Sequence, residues 1–146
     1  MPSQRFQTPV AVHVMLLRGG EVLLLRRVNT GYEDGNYSVV GGRLDGGETV
    51  PQAAVREALE EAGVHIAEPD VKVVGVMHRR TDGEERIDFF VAVHRWDGEI
   101  HNREPHKCAE LAWYDFDQLP ENVITYVRQA FTNYCQGIWF GDFGWD

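Results

Sequence analysis

Cysteine is scarce in this chain: the 146 residues include only Cys108 and Cys135, and these form no CxxC pair. Such usage indicates neither a disulfide framework nor a thiolate zinc site, so we expect a reducing compartment. No run approaches the roughly 18 to 20 apolar residues that span a bilayer, and no basic segment followed by an apolar one opens the chain. We therefore predict a cytoplasmic protein.

Basic residues are also few, with 14 Lys and Arg against 23 Asp and Glu and a formal net charge of −9. This excess of acidic residues disfavours binding that neutralises many phosphates, so neither a nucleic-acid polymer nor a membrane is expected as a partner. A small phosphate-bearing ligand would need its charge offset locally. A divalent cation held by carboxylates would do so.

Low-complexity tracts, internal repeats and Ser/Gly-rich linkers are absent from the sequence. With 43% hydrophobic and 25% charged residues, the chain has the composition of a globular protein. At this length we expect residues 1–146 to form one domain around one core.

Segments rich in β-branched and aliphatic residues predict two hairpins. The first has a glycine turn at Gly19-Gly20, and the second turns around Asp82-Gly83, a dipeptide that favours positive φ angles. The predicted strands cover 9–17 and 21–27 in the first hairpin, 71–80 and 86–96 in the second, and 111–115 as a further short strand.

Two helices are predicted, one on each face of a sheet. Thr49 and Gln52 form a capping box around Pro51, and Gly63 is the predicted C-terminal stop of the first helix. The second helix is expected to follow Pro120 and to end before residue 137, a glycine.

Three carboxylates, Glu57, Glu60 and Glu61, fall within about one third of the circumference of the first helix and away from its apolar stripe. We expect them to project out of the core. They are interpreted either as an ordinary solvated surface or as a site for a hard cation such as Mg²⁺ or Mn²⁺, which would relieve their mutual repulsion.

The residues around these carboxylates resemble the Nudix box, whose pattern is G-x5-E-x7-R-E-U-x-E-E-x-G-U with U aliphatic. Every fixed position is present between Gly42 and Val64, with Ala58 as a small aliphatic residue. Val40 stands where the family usually has proline before the paired glycines. The resemblance implies an α/β protein, a Nudix-type α/β/α sandwich with a mixed central β-sheet, in which the glycine-rich segment from Gly41 forms a loop leading into the helix.

The resemblance also implies the roles of individual residues in binding Mg²⁺ or Mn²⁺. Arg56 is expected to orient the ligands through an ion pair with Glu48. The implied metal ligands are the carbonyl of Gly42 and the carboxylates of Glu57 and Glu61. Glu60 is implied either as a ligand to a further ion or as a group that supports the ligands. In this family a carboxylate outside the box often completes the metal site or acts as general base. Glu104 is our prediction, because its loop could return to the helix, and Glu110 is the alternative.

Nudix-like enzymes hydrolyse a nucleoside diphosphate linked to another group. Markers of the ADP-ribose, dinucleoside-polyphosphate and coenzyme A subgroups are missing, which favours a nucleoside triphosphate pyrophosphohydrolase that gives a nucleoside monophosphate and pyrophosphate. The alternatives are a nucleotide-sugar or dinucleotide hydrolase, or a non-catalytic nucleotide sensor. The predicted substrate contacts are Arg27, Arg79 and Arg80 for phosphates and Tyr37 for stacking on a base.

Four large aromatic side chains crowd the last nine residues, at Trp139, Phe140, Phe143 and Trp145. So much apolar surface should be covered. It could fold back on the core or the nucleotide pocket as a lid, or form the interface of a homodimer, and we favour the homodimer.

Overall fold

A central sheet of eight strands organises the protein, whose computed structural model describes residues 4–146. In chain order the strands are β1 (Val10–Arg18), β2 (Glu21–Arg27), β3 (Tyr37–Ser38), β4 (Val40–Arg43), β5 (Lys72–Thr81), β6 (Glu84–Val93), β7 (Cys108–Asp115) and β8 (Phe140–Phe143). The helices are α1 (Val50–Ala62) and α2 (Thr125–Cys135), and a short 3₁₀ turn covers Glu68–Asp70.

The sheet is mixed, with the order β3-β2-β1-β6-β5-β8, while β4 pairs with β1 and β7 with β2. Strand β1 runs parallel to β6 and antiparallel to β4, so it forms the middle of the sheet. Its side chains alternate between the two faces, as the period of a strand requires. Val12, Val14 and Leu16 belong to one core layer, and Met15 and Leu17 belong to the other.

Helix α1 covers the first layer and has the predicted ends. The Thr49 side chain accepts a hydrogen bond from the Gln52 backbone, and the Gln52 side chain accepts one from the backbone of Thr49. Gly63 ends the helix in the left-handed conformation, with φ of 70°. Alanines fill the buried side of α1 at positions 53, 54, 58 and 62, so the helix packs close to the sheet.

Helix α2 covers the second layer but begins at Thr125 rather than directly after Pro120. The backbone before it is held to β3 instead, because Tyr37 N–H donates to the carbonyl of Asn122 and Ile124 N–H donates to that of Tyr37. Within residues 4–146, neither helix is long and apolar enough to cross a bilayer.

Several predicted boundaries need correction. Gly41 and Gly42 lie in β4, paired with β1, and not in a loop. Strand β7 begins at Cys108, three residues earlier than predicted, because it continues along β2 past a bulge. The aromatic tail forms β8, an edge strand parallel to β5, and Trp145 Nε1 donates to the carbonyl of His78 at 2.9 Å. The tail therefore folds back on the core and does not line the pockets described below.

Candidate active site

A cleft of about 380 Å³ opens beside the C-terminal half of α1, and we call it the carboxylate cleft. It is lined by Leu25, Arg27, Asn29, Thr30, Gly41, Glu57, Glu60, Glu61, Glu104, Lys107 and Cys108. Four carboxylates from two separate parts of the chain thus face one space. This convergence is the main chemical feature of the described structure.

Helix α1 places its three glutamates at different depths, which corrects the expectation that all of them project outward. Glu57 is buried, Glu61 is half-buried, and only Glu60 is exposed. The difference arises because β4 passes beside the helix and Gly41 N–H donates to Glu61 Oε2 at 3.2 Å. Glu57 and Glu61 are therefore shielded from water to different degrees, whereas Glu60 faces solvent.

Glu61 lies in an environment that opposes its negative charge. Burial, a hydrogen bond with Glu57 and the charges of Glu57 and Glu104 together raise the pKa of Glu61 well above its usual value. The donor at Gly41 acts in the opposite direction and does not offset them. Such a carboxylate gains stability from a proton or from a bound cation.

Arg56 joins the box residues into one network. Its Nε and Nη2 donate to the two oxygens of Glu48 at 3.1 and 2.7 Å, and its Nη1 donates to Glu57 Oε1 at 2.7 Å. The same hydrogen bonds lower the pKa of Glu48 and raise that of Arg56. Arg56 therefore fixes the orientation of Glu57 from behind the cleft, in the way that outer-shell groups orient metal ligands.

Glu104 reaches the cleft because its loop is tied to the end of α1. His101 N–H donates to the carbonyl of Ala62 at 3.0 Å, and Arg103 N–H donates to that of Glu61 at 3.3 Å. The side chain of Glu110, the alternative, instead accepts hydrogen bonds from two tyrosine hydroxyls, those of Tyr37 and Tyr114. Of the two carboxylates, only Glu104 lines the cleft.

The predicted substrate residues are not all brought together. Arg27 lines the carboxylate cleft, and Arg79 lies in a neighbouring pocket, where it is buried. Tyr37 is buried in the core layer under α2, and Arg80 lies over the ring of Trp145. Tyr37 and Arg80 therefore lie away from the cleft, Tyr37 because β3 turns its ring inward and Arg80 because successive side chains of β5 alternate in direction.

Lys107 also lines the cleft, although the sequence did not indicate it. A lysine near an Asn-Arg-Glu-Pro segment is typical of a solvent-exposed loop. Its position follows from the turn at Glu104, whose carbonyl accepts from the backbone N–H groups of Lys107 and Cys108, both at 2.8 Å. A cation beside four carboxylates suits a ligand that itself carries negative charge.

The carboxylate cleft fits a hard divalent cation. Its donors are carboxylate oxygens, which Mg²⁺ and Mn²⁺ prefer, and Gly42 leaves the space that Glu57 occupies, since a β-carbon there would come within 2.5 Å of Glu57 Oε1. Although four carboxylates line the cleft, no three acidic, His or Cys side chains in the described part of the chain are close enough together to form a metal site as they stand. Arg56 holds Glu57 in this arrangement.

A NUDIX domain model matches residues 7–133, and the chain therefore belongs to the Nudix hydrolases. The family and the α/β/α sandwich predicted from the sequence are both confirmed. A MutT NUDIX hydrolase from Burkholderia pseudomallei superposes with a TM-score of 0.79 at 27% identity, covering 87% of this chain and 98% of that one. A MutT protein from Methanosarcina mazei, at 19% identity and a TM-score of 0.77, covers 92% and 97% and shares the fold.

Curated relatives include two kinds of hydrolase. An oxidized purine nucleoside triphosphate hydrolase from Danio rerio is 29% identical over 117 residues, which are 79% of this chain and 71% of that protein. An NAD-capped RNA hydrolase, NudC, from Yersinia enterocolitica is also 29% identical, over 80% of this chain and 43% of its own length. The chain thus spans less than half of NudC, and both relatives hydrolyse derivatives of nucleotides.

Proposed function

We propose that this chain is a divalent-metal-dependent pyrophosphohydrolase that splits a nucleoside triphosphate into a nucleoside monophosphate and pyrophosphate, with Mg²⁺ or Mn²⁺ as the cofactor. The observation that carries the proposal is the convergence of Glu57, Glu60, Glu61 and Glu104 on one cleft. Similarity to a triphosphate hydrolase over 71% of that relative's length supports this substrate class. The cytoplasmic location stays a prediction from the sequence.

Glu57, Glu60 and Glu61 would hold the cation. The glycine beside them in the cleft is Gly41, whereas Gly42, predicted from the sequence to supply a carbonyl ligand, lines the neighbouring pocket. When bound, the cation would withdraw charge from the phosphate oxygens and so favour attack by water at phosphorus. The new bond joins the water oxygen to phosphorus, and the bond to the leaving pyrophosphate breaks.

Glu104 lines the cleft from the loop before β7 and is our choice for the group that takes the proton of the attacking water. Lys107 and Arg27 flank the same space and would contact phosphate oxygens. Arg56 does not enter the cleft and acts by holding Glu57.

A dinucleotide or nucleotide-sugar hydrolase is the second candidate, and the similarity to NudC favours it. A non-catalytic sensor is the third, and the complete set of cleft carboxylates argues against it.

Product analysis tests the proposal. Nucleoside triphosphates, dinucleotides and nucleotide sugars are incubated with Mg²⁺ or Mn²⁺, and the products are separated by chromatography. We expect monophosphate and pyrophosphate from a triphosphate, and Glu104→Gln should lower kcat by about 10² or more. Glu110→Gln is the matched control and should retain parental turnover. Release of single phosphates, or binding of triphosphates without turnover, would contradict the proposal.

A further inference from the structure

A second pocket of about 350 Å³ adjoins the carboxylate cleft, and the two share Arg27 and Gly41 in their linings. We call it the arginine pocket. It is lined by Ala11, His13, Arg27, Tyr32, Ser38, Val39, Gly41, Gly42, Arg43, Arg79, Arg86 and Tyr126. Four arginines in one pocket are a marked concentration, since the chain has only 14 basic residues against 23 acidic ones.

One of these arginines is fully engaged within the protein. Arg79 Nε donates to Asp88 Oδ2 at 2.7 Å, and its guanidinium lies 3.6 Å from the ring centroid of Tyr126. Asp88 is completely buried, and its other oxygen is 2.9 Å from His13 Nε2. This single carboxylate is therefore shared between two partners and cannot balance the charge of a further arginine.

Arg86 has no buried carboxylate partner within residues 4–146. It stands directly across from Arg79 on the neighbouring strand, where two like charges destabilise a sheet. Its Nε is buried and has no hydrogen-bond partner among residues 4–146. Its nearest carboxylate, Glu84, lies 3.6 Å away with a side chain that is 74% exposed. A buried donor without a partner, on an arginine whose only nearby carboxylate is exposed to solvent, favours an anion at this point.

We propose that the arginine pocket binds a phosphate group other than the phosphates hydrolysed in the carboxylate cleft, with Arg86 as its main contact. The guanidinium group matches phosphate oxygens with paired N–H donors, and Arg43 and Arg27 lie in the same lining. The phosphate is either a second phosphate on the substrate or free phosphate. The first source rests on the function proposed above, whereas phosphate binding in the pocket does not.

Titration with inorganic phosphate tests the site alone. The buffer contains EDTA, so that phosphate cannot bind through a cation in the carboxylate cleft, and the signal is the Nε–H resonance of Arg86 in ¹⁵N-resolved NMR spectra. We expect this resonance to shift, and Arg86→Gln to weaken binding by about tenfold or more. Arg95→Gln is the matched control, because Arg95 pairs with Asp70 outside both pockets. No shift, or equal affinity in Arg86→Gln, would overturn the proposal.

Folding of Arg86→Gln is checked in phosphate-free buffer, where removal of the like charge should leave Tm equal to or above that of the parent. Arg86→Lys keeps the charge without the paired donors, and we expect its phosphate affinity to lie between those of the parent and Arg86→Gln. A planar ligand such as a free nucleobase that binds there in place of phosphate would also reject the proposal.

A matched pair of substrates identifies the source of the phosphate. ATP and ATP that carries a 2′-phosphate differ by one ribose phosphate, and the readout is the ratio of their kcat/KM values. We expect the parent to favour the phosphorylated member by about tenfold, through KM, and Arg86→Gln to bring the ratio near one. A ratio near one in the parent, with phosphate still bound, assigns the pocket to free phosphate. Should no nucleotide be hydrolysed, the function proposed above fails while the titration still decides this inference.

Discussion

Gly42 on β4 lies directly against the Glu57 carboxylate of α1, so close that a β-carbon at Gly42 would come 2.5 Å from Glu57 Oε1 and 2.8 Å from its Cδ. We therefore expect Gly42→Ala to push Glu57 out of position and lower kcat/KM by about 10- to 100-fold, the usual effect of disturbing a ligand's support. The melting temperature should fall modestly, because displacing the buried Glu57 carboxylate disturbs its ion pair with Arg56. Gly20→Ala, whose β-carbon would meet nothing within 4 Å, is the control and should match the parent.

Glu61→Gln should abolish most turnover and yet stabilise the protein without metal. The variant removes a proposed cation ligand, for which we expect a loss of about a hundredfold or more in kcat. It also removes a charge that burial, Glu57 and Glu104 all oppose, so Tm in EDTA should rise. Differential scanning fluorimetry and steady-state kinetics measure the two effects, with the exposed Glu121→Gln as control.

Metal linkage separates the parent from this variant. Mg²⁺ or Mn²⁺ should raise the Tm of the parent as the cation concentration passes its dissociation constant, and the rise should be largely lost in Glu61→Gln. Activity of Glu61→Gln within tenfold of the parent at saturating Mg²⁺ would show that Glu61 is not a ligand.

Asp88→Asn should destabilise the protein by about 2–4 kcal/mol near neutral pH, because it removes the charge that balances Arg79 in a fully buried site. Burial alone would raise the pKa of Asp88, but hydrogen bonds from His13 and Arg79 and their charges lower it below its usual 3.8. Its stabilising contribution is thus present above about pH 4 and is lost as pH falls through the lowered value.

Urea unfolding at several pH values measures this dependence. The difference in unfolding free energy between parent and Asp88→Asn should shrink as pH falls from about 6 to about 3. Asp117→Asn, an exposed change, should show no such trend. A difference that stays constant over this range would contradict the assigned pKa direction.

Substitution of the exposed aromatic side chains of the tail tests the predicted homodimer. Trp139 and Phe140 are 69% and 46% exposed, although β8 itself is paired with β5. A Trp139→Ser, Phe140→Ser double variant should keep the fold and the Tm. Sedimentation velocity should show a dimer for the parent and a monomer for the variant. A parent that sediments as a monomer would refute the homodimer.

Local signals predicted local structure well. The Thr49–Gln52 capping box, the Gly63 stop and the Asp82-Gly83 turn each depend on a few neighbouring residues, and all three have the expected geometry. Both residues of that turn have positive φ, of 53° and 79°. The spacing of the box likewise predicted that its glutamates share a helix face.

Contacts between segments that are distant in the sequence could not be predicted from such local signals. The contact between His13, Arg79 and Asp88 joins three strands, and its members lie up to 75 residues apart in the sequence. No spacing in the sequence indicates it. The depth of Glu61 depends on β4 passing beside α1, and the position of the aromatic tail depends on the free edge of β5. Such relations follow from sheet order, which hydrophobic patterns do not specify.

The parallel pairing of β1 with β6 affects folding during synthesis on the ribosome. Val12 lies beside Phe89 in the register, so the first strand of the chain has no neighbour on that side until most of the chain has left the ribosome. An amino-terminal fragment ending at residue 64 would contain the whole Nudix box and still lack β6, β7 and the Glu104 loop. Contacts of such long range are formed slowly. The nascent chain should therefore carry its complete carboxylate motif for some time before it can retain a cation.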